Sequence, residues 1–277
     1  MSATCETLLS TPTVVVCDVI QPAGAPAAEA AAALRATLAF PYRGVFVRHA
    51  NTEIIVAEPN QVLFFNANEA HRIAYPLAEG AAYLQLEIDE ALLGELAPAG
   101  IVLEQPPLRF SVARLRIDPR AQALVAMLRY SLRESIAEPL EAESLALTLA
   151  QRSLGPRTTH AASASASMQK LVDRVKLVLT ADLARRWTLA EIAAEAGGSP
   201  VYLTQAFRQV EGVPLYRYQL RLRLAKALDL MGAYEDLSAL SYELGFSSHS
   251  HFSAAFKQAY GRSPTEFRQS VILREGH

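Results

Sequence analysis

The chain has 277 residues, 51% hydrophobic and 19% charged, which leaves room for two globular domains and excludes a disordered chain. Its net charge of −2 is shared unevenly: residues 168–277 hold 14 Lys+Arg against 11 Asp+Glu, and residues 1–167 hold 12 against 17. All four lysines (Lys170, Lys176, Lys226, Lys257) fall in the C-terminal part, so one half suits phosphates and the other avoids them.

The N-terminus, Met1-Ser-Ala-Thr-Cys-Glu, lacks the basic start and apolar run of a secretory signal, and no stretch reads as a membrane span. A cytoplasmic protein with no membrane partner is expected. Cys5 and Cys17 are too few for a four-thiolate zinc site or a disulfide framework, and Cys17 sits in the apolar run Val14–Ile20 as a small buried side chain.

The first 110 residues alternate between β-rich runs and turn residues. Val14–Ile20, Gly44–His49, Glu53–Ala57, Gln61–Phe65 and Ala81–Ile88 are each of strand length. Pro22 and Gly24, Asn51, Pro59-Asn60, Asn66 to Asn68, and Pro76 with Gly80 separate them. Ala27–Ala39 is alanine-rich, a composition compatible with a helix. Many short strands at hairpin spacing predict a β-barrel or double-sheet jelly roll.

From Arg120 the period becomes helical. Ala121, Leu124, Val125, Leu128 and Leu132 share a face, and Pro139 opens a second helix that is apolar nearly all round between Leu145 and Ala150. Residues 153–167 are small and polar without apolar period and read as a linker. The expected domains are therefore 1–152, a linker 153–167, and 168–277. The fold class is α+β in two domains, the second all helical.

Met168–Thr180 resumes helix, with Leu171, Val172, Val175, Val178 and Leu179 facing inward. The chain then says nearly the same thing twice. Leu189, Ile192, Glu195 and Gly197 fall on Leu237, Leu240, Glu243 and Gly245 at an offset of 48. After the glycine the offset becomes 49, and Leu203, Phe207, Arg208 and Gly212 fall on Phe252, Phe256, Lys257 and Gly261. Residues 189, 192, 193 and 196 give one helical face, as do 237, 240, 241 and 244.

Thr188 with Glu191 is a capping box, and Ser199-Pro200 is a capping hydroxyl followed by a first-turn proline. Leu203, Ala206, Phe207 and Val210 form the inner face of the second helix; Phe252, Ala255, Phe256 and Ala259 repeat it. Each copy reads as a helix-turn-helix, whose second helix enters the DNA major groove. Leu215–Met231, striped by Leu220, Leu224, Ala227, Leu228 and Met231, joins the copies. At about 1.5 Å per residue it spans roughly 26 Å, enough to set two recognition helices about one DNA turn apart.

Opposite the inner face of the first recognition helix lie Val201, Thr204, Gln205 and Arg208. Glutamine pairs bidentately with adenine, Val201 or the Thr204 methyl meets a thymine methyl, and Arg208, one turn on, suits a phosphate. The second copy offers Ser250, Ser253, Ala254 and Lys257. His249 and His251 are two apart on a helix and do not form a metal pair.

Arg223-Leu-Ala-Lys-Ala-Leu228, Glu243-Leu-Gly-Phe-Ser247, Phe252-Ser-Ala-Ala-Phe-Lys257 and Gly261-Arg-Ser-Pro-Thr-Glu-Phe-Arg268 resemble, in order and spacing, the signature of the AraC/XylS family of bacterial transcription regulators. The stretch Phe40–Leu86, with Pro59-Asn-Gln-Val-Leu-Phe-Phe-Asn66 and Glu69-Ala-His-Arg72, is similar to the cupin-like sensor domain of many members.

The resemblance implies a sequence-specific, effector-responsive activator and not an enzyme. Its partners would be double-stranded DNA, a small-molecule effector, RNA polymerase and a second copy of itself, joined through the helices of 121–154. Arg48, His49, His71 and Tyr75 are the candidate ligand contacts. The family commonly has arginine where Ala254 stands, so the second copy has lost a base-reading group. The methyl-accepting repair proteins that share this module need a cysteine cluster that is missing here.

The rival class is a metal-dependent cupin enzyme fused to a DNA-binding tail. The first motif of such enzymes needs paired histidines and a glutamate. This chain offers His49 and Glu53, with His71 for the later motif, so no metal or other cofactor is expected. A third reading is a non-sensing regulator whose barrel only docks another protein.

Overall fold

The computed structural model describes residues 4–24, 31–51, 53–103, 107–155 and 165–271. The chain divides into two compact units, one within residues 1–159 and 265–277, the other within 160–264.

In the first unit, β1 (Thr4–Ser10), β2 (Val14–Gln21), the two-residue β3 (Ala31–Ala32), β4 (Thr37–Gly44), β5 (Phe46–Ala50), β6 (Glu53–Ala57), β7 (Gln61–Phe65), β8 (Ala70–Ala74) and β9 (Ala81–Ile88) follow one another. After α1 (Glu90–Leu96) come β10 (Val102–Leu103), β11 (Arg109–Phe110) and β12 (Arg114–Arg116). Six strands order as β1-β2-β9-β4-β7-β12 and four as β3-β8-β5-β6. Val19, Ala39, Leu63, Phe65, Ala81 and Tyr83 of the larger sheet pack on Phe46, Ile55, Ala57 and Ile73 of the smaller, which makes the expected cupin-like double sheet.

The other face of the large sheet carries Val14, Val16, Leu38, Phe40, Val62, Phe64, Leu84 and Leu86. It is covered by α2 (Pro119–Arg133) and α3 (Pro139–Leu154), which confirms the helix pair and its proline start. Ala142, Ala146 and Ala150 recur every four residues on α3, and small side chains there let the helix approach the sheet. Both faces of β2 and β9 are thus buried, so they read as continuous apolar runs. Asp18 is a buried carboxylate on β2: Tyr42 Oη donates to its Oδ1 (2.6 Å) and Arg133 Nε to its Oδ2 (2.7 Å), which ties α2 to the sheet.

The alanine-rich stretch is not helical over residues 31–39, where β3 and the start of β4 lie; residues 27–30 fall outside the described ones. Leu38 and Ala39 are buried on opposite faces of an inner strand, and that burial overrides alanine's helix propensity.

The second unit begins with α4 (Ala166–Ala181), capped by Ser165; most of the expected linker lies outside the described residues. Then come α5 (Leu189–Ala196), α6 (Pro200–Glu211), α7 (Leu215–Leu230), α8 (Leu237–Glu243) and α9 (His249–Tyr260); a last helix, α10, spans Pro264–Val271. Leu171, Val172, Val175 and Leu179 of α4 pack with Ile192, Ala193, Ala196, Leu203, Ala206, Phe207 and Val210. Leu189, expected inside, is 43% exposed. It stands at the first position of α5, ahead of the buried stripe that Ile192 opens. Among the described residues no helix is long and apolar enough to cross a membrane.

Candidate nucleic-acid interface

The first helix pair is fixed at its start by the expected capping box. Thr188 N donates to Glu191 Oε2 (2.8 Å) and Glu191 N to Thr188 Oγ1 (3.2 Å). The Thr188 N–H, with Thr188 Oγ1 donating to the same Oε2 (2.7 Å) and Arg185 Nη2 to Oε1 (2.8 Å), holds the Glu191 carboxyl down at about 2. Ser199 Oγ accepts from Tyr202 N (3.2 Å) and starts α6, with Pro200 in its first turn.

Because Leu203, Ala206, Phe207 and Val210 are buried, the opposite row of α6 faces solvent: Val201 (70% exposed), Thr204, Gln205 and Arg208. The Thr204 hydroxyl donates back to Pro200 O (2.8 Å), so its hydrogen is committed within the helix. Glu211, the single acid of α6, is withdrawn into a fully buried pair with Lys176 (2.7 Å). No carboxylate of α6 therefore opposes an approaching phosphate.

The second pair has a different interior. Asp236 caps α8 alone, accepting from Ser238 N (2.8 Å) and Ala239 N (3.3 Å). The extra residue of the turn lets Phe246 fold inward, where an aromatic series runs through Phe252 (5.1 Å), Phe256 (5.7 Å) and Tyr260 (4.6 Å between successive centroids). Ser250, Ala254 and Lys257 of α9 are exposed; Ser253 is half-buried, its Oγ 3.4 Å from His249 Nε2. The seven expected DNA contacts thus form one row on each recognition helix.

Sequence reasoning assigned no role to Arg223, which the structure makes the joint of the unit. From α7 its Nε donates to Leu183 O (2.6 Å), its Nη2 to Ala184 O (3.2 Å) and Arg185 O (3.0 Å), and its Nη1 to Gly245 O (3.0 Å). Gln219 adds bonds to Leu183 O and Arg185 O. One guanidinium therefore holds the segment before α5 to the turn after α8. The signal in the sequence is a basic residue between Leu222 and Leu224, at the head of the signature Arg223–Leu228.

The ligand candidates lie in the first unit. Arg48 pairs with Ile73 across β5 and β8, so Arg48, His71, Ile73 and Tyr75 share the face that looks toward the large sheet. The His71 ring meets Phe65 edge-on at 4.7 Å, and the Arg48 guanidinium lies 5.0 Å from the same ring's centroid. Burial lowers the His71 pKa and raises that of Tyr75. His49 belongs to the opposite, exposed face and does not join them.

Comparison with known proteins matches residues 161–270 to the model of a helix-turn-helix domain and residues 35–150 to that of an AraC-like ligand binding domain. The chain is 26% identical over 209 residues to the "Probable transcriptional regulator LumQ" of Photobacterium leiognathi, covering 69% of this chain and 80% of that one. It is 33% identical over 138 residues to the "HTH-type transcriptional activator RhaR" of Klebsiella pneumoniae, covering 49% of this chain and spanning 47% of the other. Among solved structures, a DNA-binding transcriptional dual regulator from Escherichia coli K-12 matches at 30% identity and a TM-score of 0.36, over 38% of this chain and 94% of that one.

Proposed function

We propose that this chain, which belongs to the AraC family of transcriptional regulators, reads its operator chiefly through α6 and grips the adjacent groove through α9. It is a DNA-binding regulator with a ligand-binding domain, and not an enzyme. The observation that carries the division of roles is the exposed row Val201, Thr204, Gln205 and Arg208 on a helix anchored by Leu203, Ala206, Phe207 and Val210. Gln205 offers a donor and an acceptor to an adenine edge, while Ser250, Ser253 and Lys257 offer short hydroxyls and a phosphate-binding ammonium.

In this reading the first unit binds a small-molecule effector through the face that bears Arg48, His71 and Tyr75, and effector binding changes operator occupancy. The output is activation, by analogy with the activator among its relatives, and RNA polymerase is the partner that the family resemblance implies. The chain acts in the cytoplasm as a homodimer. The outer side of α3, where Leu140 is 79% exposed beside Leu147 and Leu96 of α1, supports self-association there.

Selection of bound sites from random DNA with the full chain tests the first claim. A preferred site should emerge with two segments about one helical turn apart, the more restrictive one protected by α6. Enrichment of no sequence over bulk DNA would overturn the base-reading role.

A further inference from the structure

The layer between the two sheets holds a charged group with no carboxylate bonded to it among the described residues. Arg48 is 3% exposed and faces the large sheet with Phe46, two residues before it on β5. Its Nη1 crosses to donate to Phe64 O on β7, and its Nε is buried with no acceptor. Among the described residues no carboxylate lies within ion-pair distance of it. Glu69 acts on it only from further away, its own oxygens taken by Asn51 (3.0 Å), Asn66 (2.8 Å) and Arg109 (3.7 Å), and Glu53 is exposed.

A guanidinium stays protonated even when burial lowers its pKa, as it does here. An enclosed cation without a hydrogen-bonded counter-charge is an unfavourable arrangement that a bound anion would relieve. The walls around it are aromatic or small. Phe65 lies under the guanidinium and Phe46 packs on Tyr83 at 5.0 Å, while Ala39, Ala57 and Ala81 are the small members of the same buried cluster. His71 adds no second cation: burial lowers its pKa, and with Nδ1 donating to Glu69 O (3.2 Å) the neutral ring has Nε2 as an acceptor.

We propose that the interior of this domain binds a small monocarboxylate with an apolar or aromatic body, its carboxylate taken by the Nε edge of Arg48. The proposal rests on the reading of this domain as the effector-binding one and names the ligand's chemical class. One planar cation edge matches one carboxylate, whereas a dianion would bury surplus negative charge near Glu69.

The test is calorimetric titration of the full chain with straight-chain monocarboxylates from acetate to octanoate and with benzoate, against the matching neutral amides and inorganic phosphate. At least one carboxylate should bind with one site per chain, its amide at least tenfold more weakly, and phosphate not at all. Arg48→Gln should weaken that carboxylate at least tenfold and leave the amide unchanged. If Arg48→Gln does not fold, Arg48→Lys keeps the charge, loses the planar fork, and should still weaken binding severalfold. Binding of amides as tight as that of acids, full affinity in both variants, or no carboxylate binding overturns the proposal. If neutral compounds from a metabolite extract then still alter operator protection, the effector reading stands and only the ligand class falls. If no compound of either kind does so, both fall.

Discussion

The two helix-turn-helix copies share a backbone plan and differ in everything that the plan leaves free. In the first, α4 lies across both helices and completes the core, a buried Lys176–Glu211 pair clears acid from the recognition helix, and the exposed row carries Gln205 and Arg208. In the second, the aromatic series of Phe246, Phe252, Phe256 and Tyr260 fills the interior, and the exposed row is reduced to small side chains and Lys257. A repeat fixes where recognition side chains stand, and local chemistry then decides whether a copy reads bases or only holds the backbone.

The aligned glycines give the sharpest way to break the symmetry. A Cβ on Gly245, where φ is +81°, would lie 2.3 Å from Ala184 O and 2.7 Å from Ala184 Cα. A Cβ on Gly197 at φ +74° would meet nothing within 4 Å. Left-handed backbone costs an alanine about 1–2 kcal/mol, and forced displacement of packed backbone adds about 1–3 kcal/mol. Gly245→Ala should therefore lose roughly 3 kcal/mol or more, and Gly197→Ala only about 1–2 kcal/mol. Urea unfolding of the full chain, followed by helical circular dichroism, measures both. Equal losses would mean that the clamp of Arg223 on Gly245 O does not hold the joint closed.

The next contrast is in reading. Gln205→Ala should cost operator binding about 1–3 kcal/mol while scrambled DNA is little affected. Titrations against both duplexes give the ratio. An unchanged ratio would hand the reading role to the second copy.

Much of this contrast is legible in the sequence. The repeat, its slip in the turn, the Thr188 box, the Ser199-Pro200 start and the exposed rows follow from period and capping chemistry that act within a few residues. Gln61–Phe65 and Ala81–Ile88 were legible as strands because both of their faces are largely buried.

What failed to show depended on distant partners. Thr4–Ser10 is an edge strand with mostly exposed, mixed side chains, and Thr37–Gly44 carries Pro41 beside a register shift, so neither has a clean alternation. Leu189 was misplaced because an apolar residue at a helix's first position precedes its buried stripe. Arg223 and the free edge of Arg48 gain meaning only from carbonyls and rings brought in by the tertiary fold.

A smaller difference separates phosphate gripping from base reading. Lys257→Ala should weaken operator and scrambled DNA alike and reduce the magnitude of the salt slope by about 1, because counterion release is indifferent to sequence. Binding at several salt concentrations measures the slope. A loss confined to the operator would make Lys257 a base reader and α9 more than a clamp.

The smallest expected effect tests the caps, where the copies again diverge. Thr188 meets Glu191 in the first, while Asp236 faces Ala239 in the second, with no partner for a box. The Glu191 carboxyl is held at about 2 against an ordinary 4.5, mainly by the backbone and side chain of Thr188 and then by Arg185. A carboxyl depressed in the folded state stabilises it fully above the ordinary value and ceases to do so as pH falls through the folded one. Glu191→Gln keeps an acceptor for Thr188 N and loses the charge, so the melting difference between parent and variant should be constant near neutrality and close between pH 4.5 and about 2. Arg185 screens little in an exposed pair, so raised salt should narrow the gap at neutral pH only slightly. A gap that instead persists unchanged at the acid end would assign it to the shape of the glutamate side chain, and the box would then owe nothing to its charge.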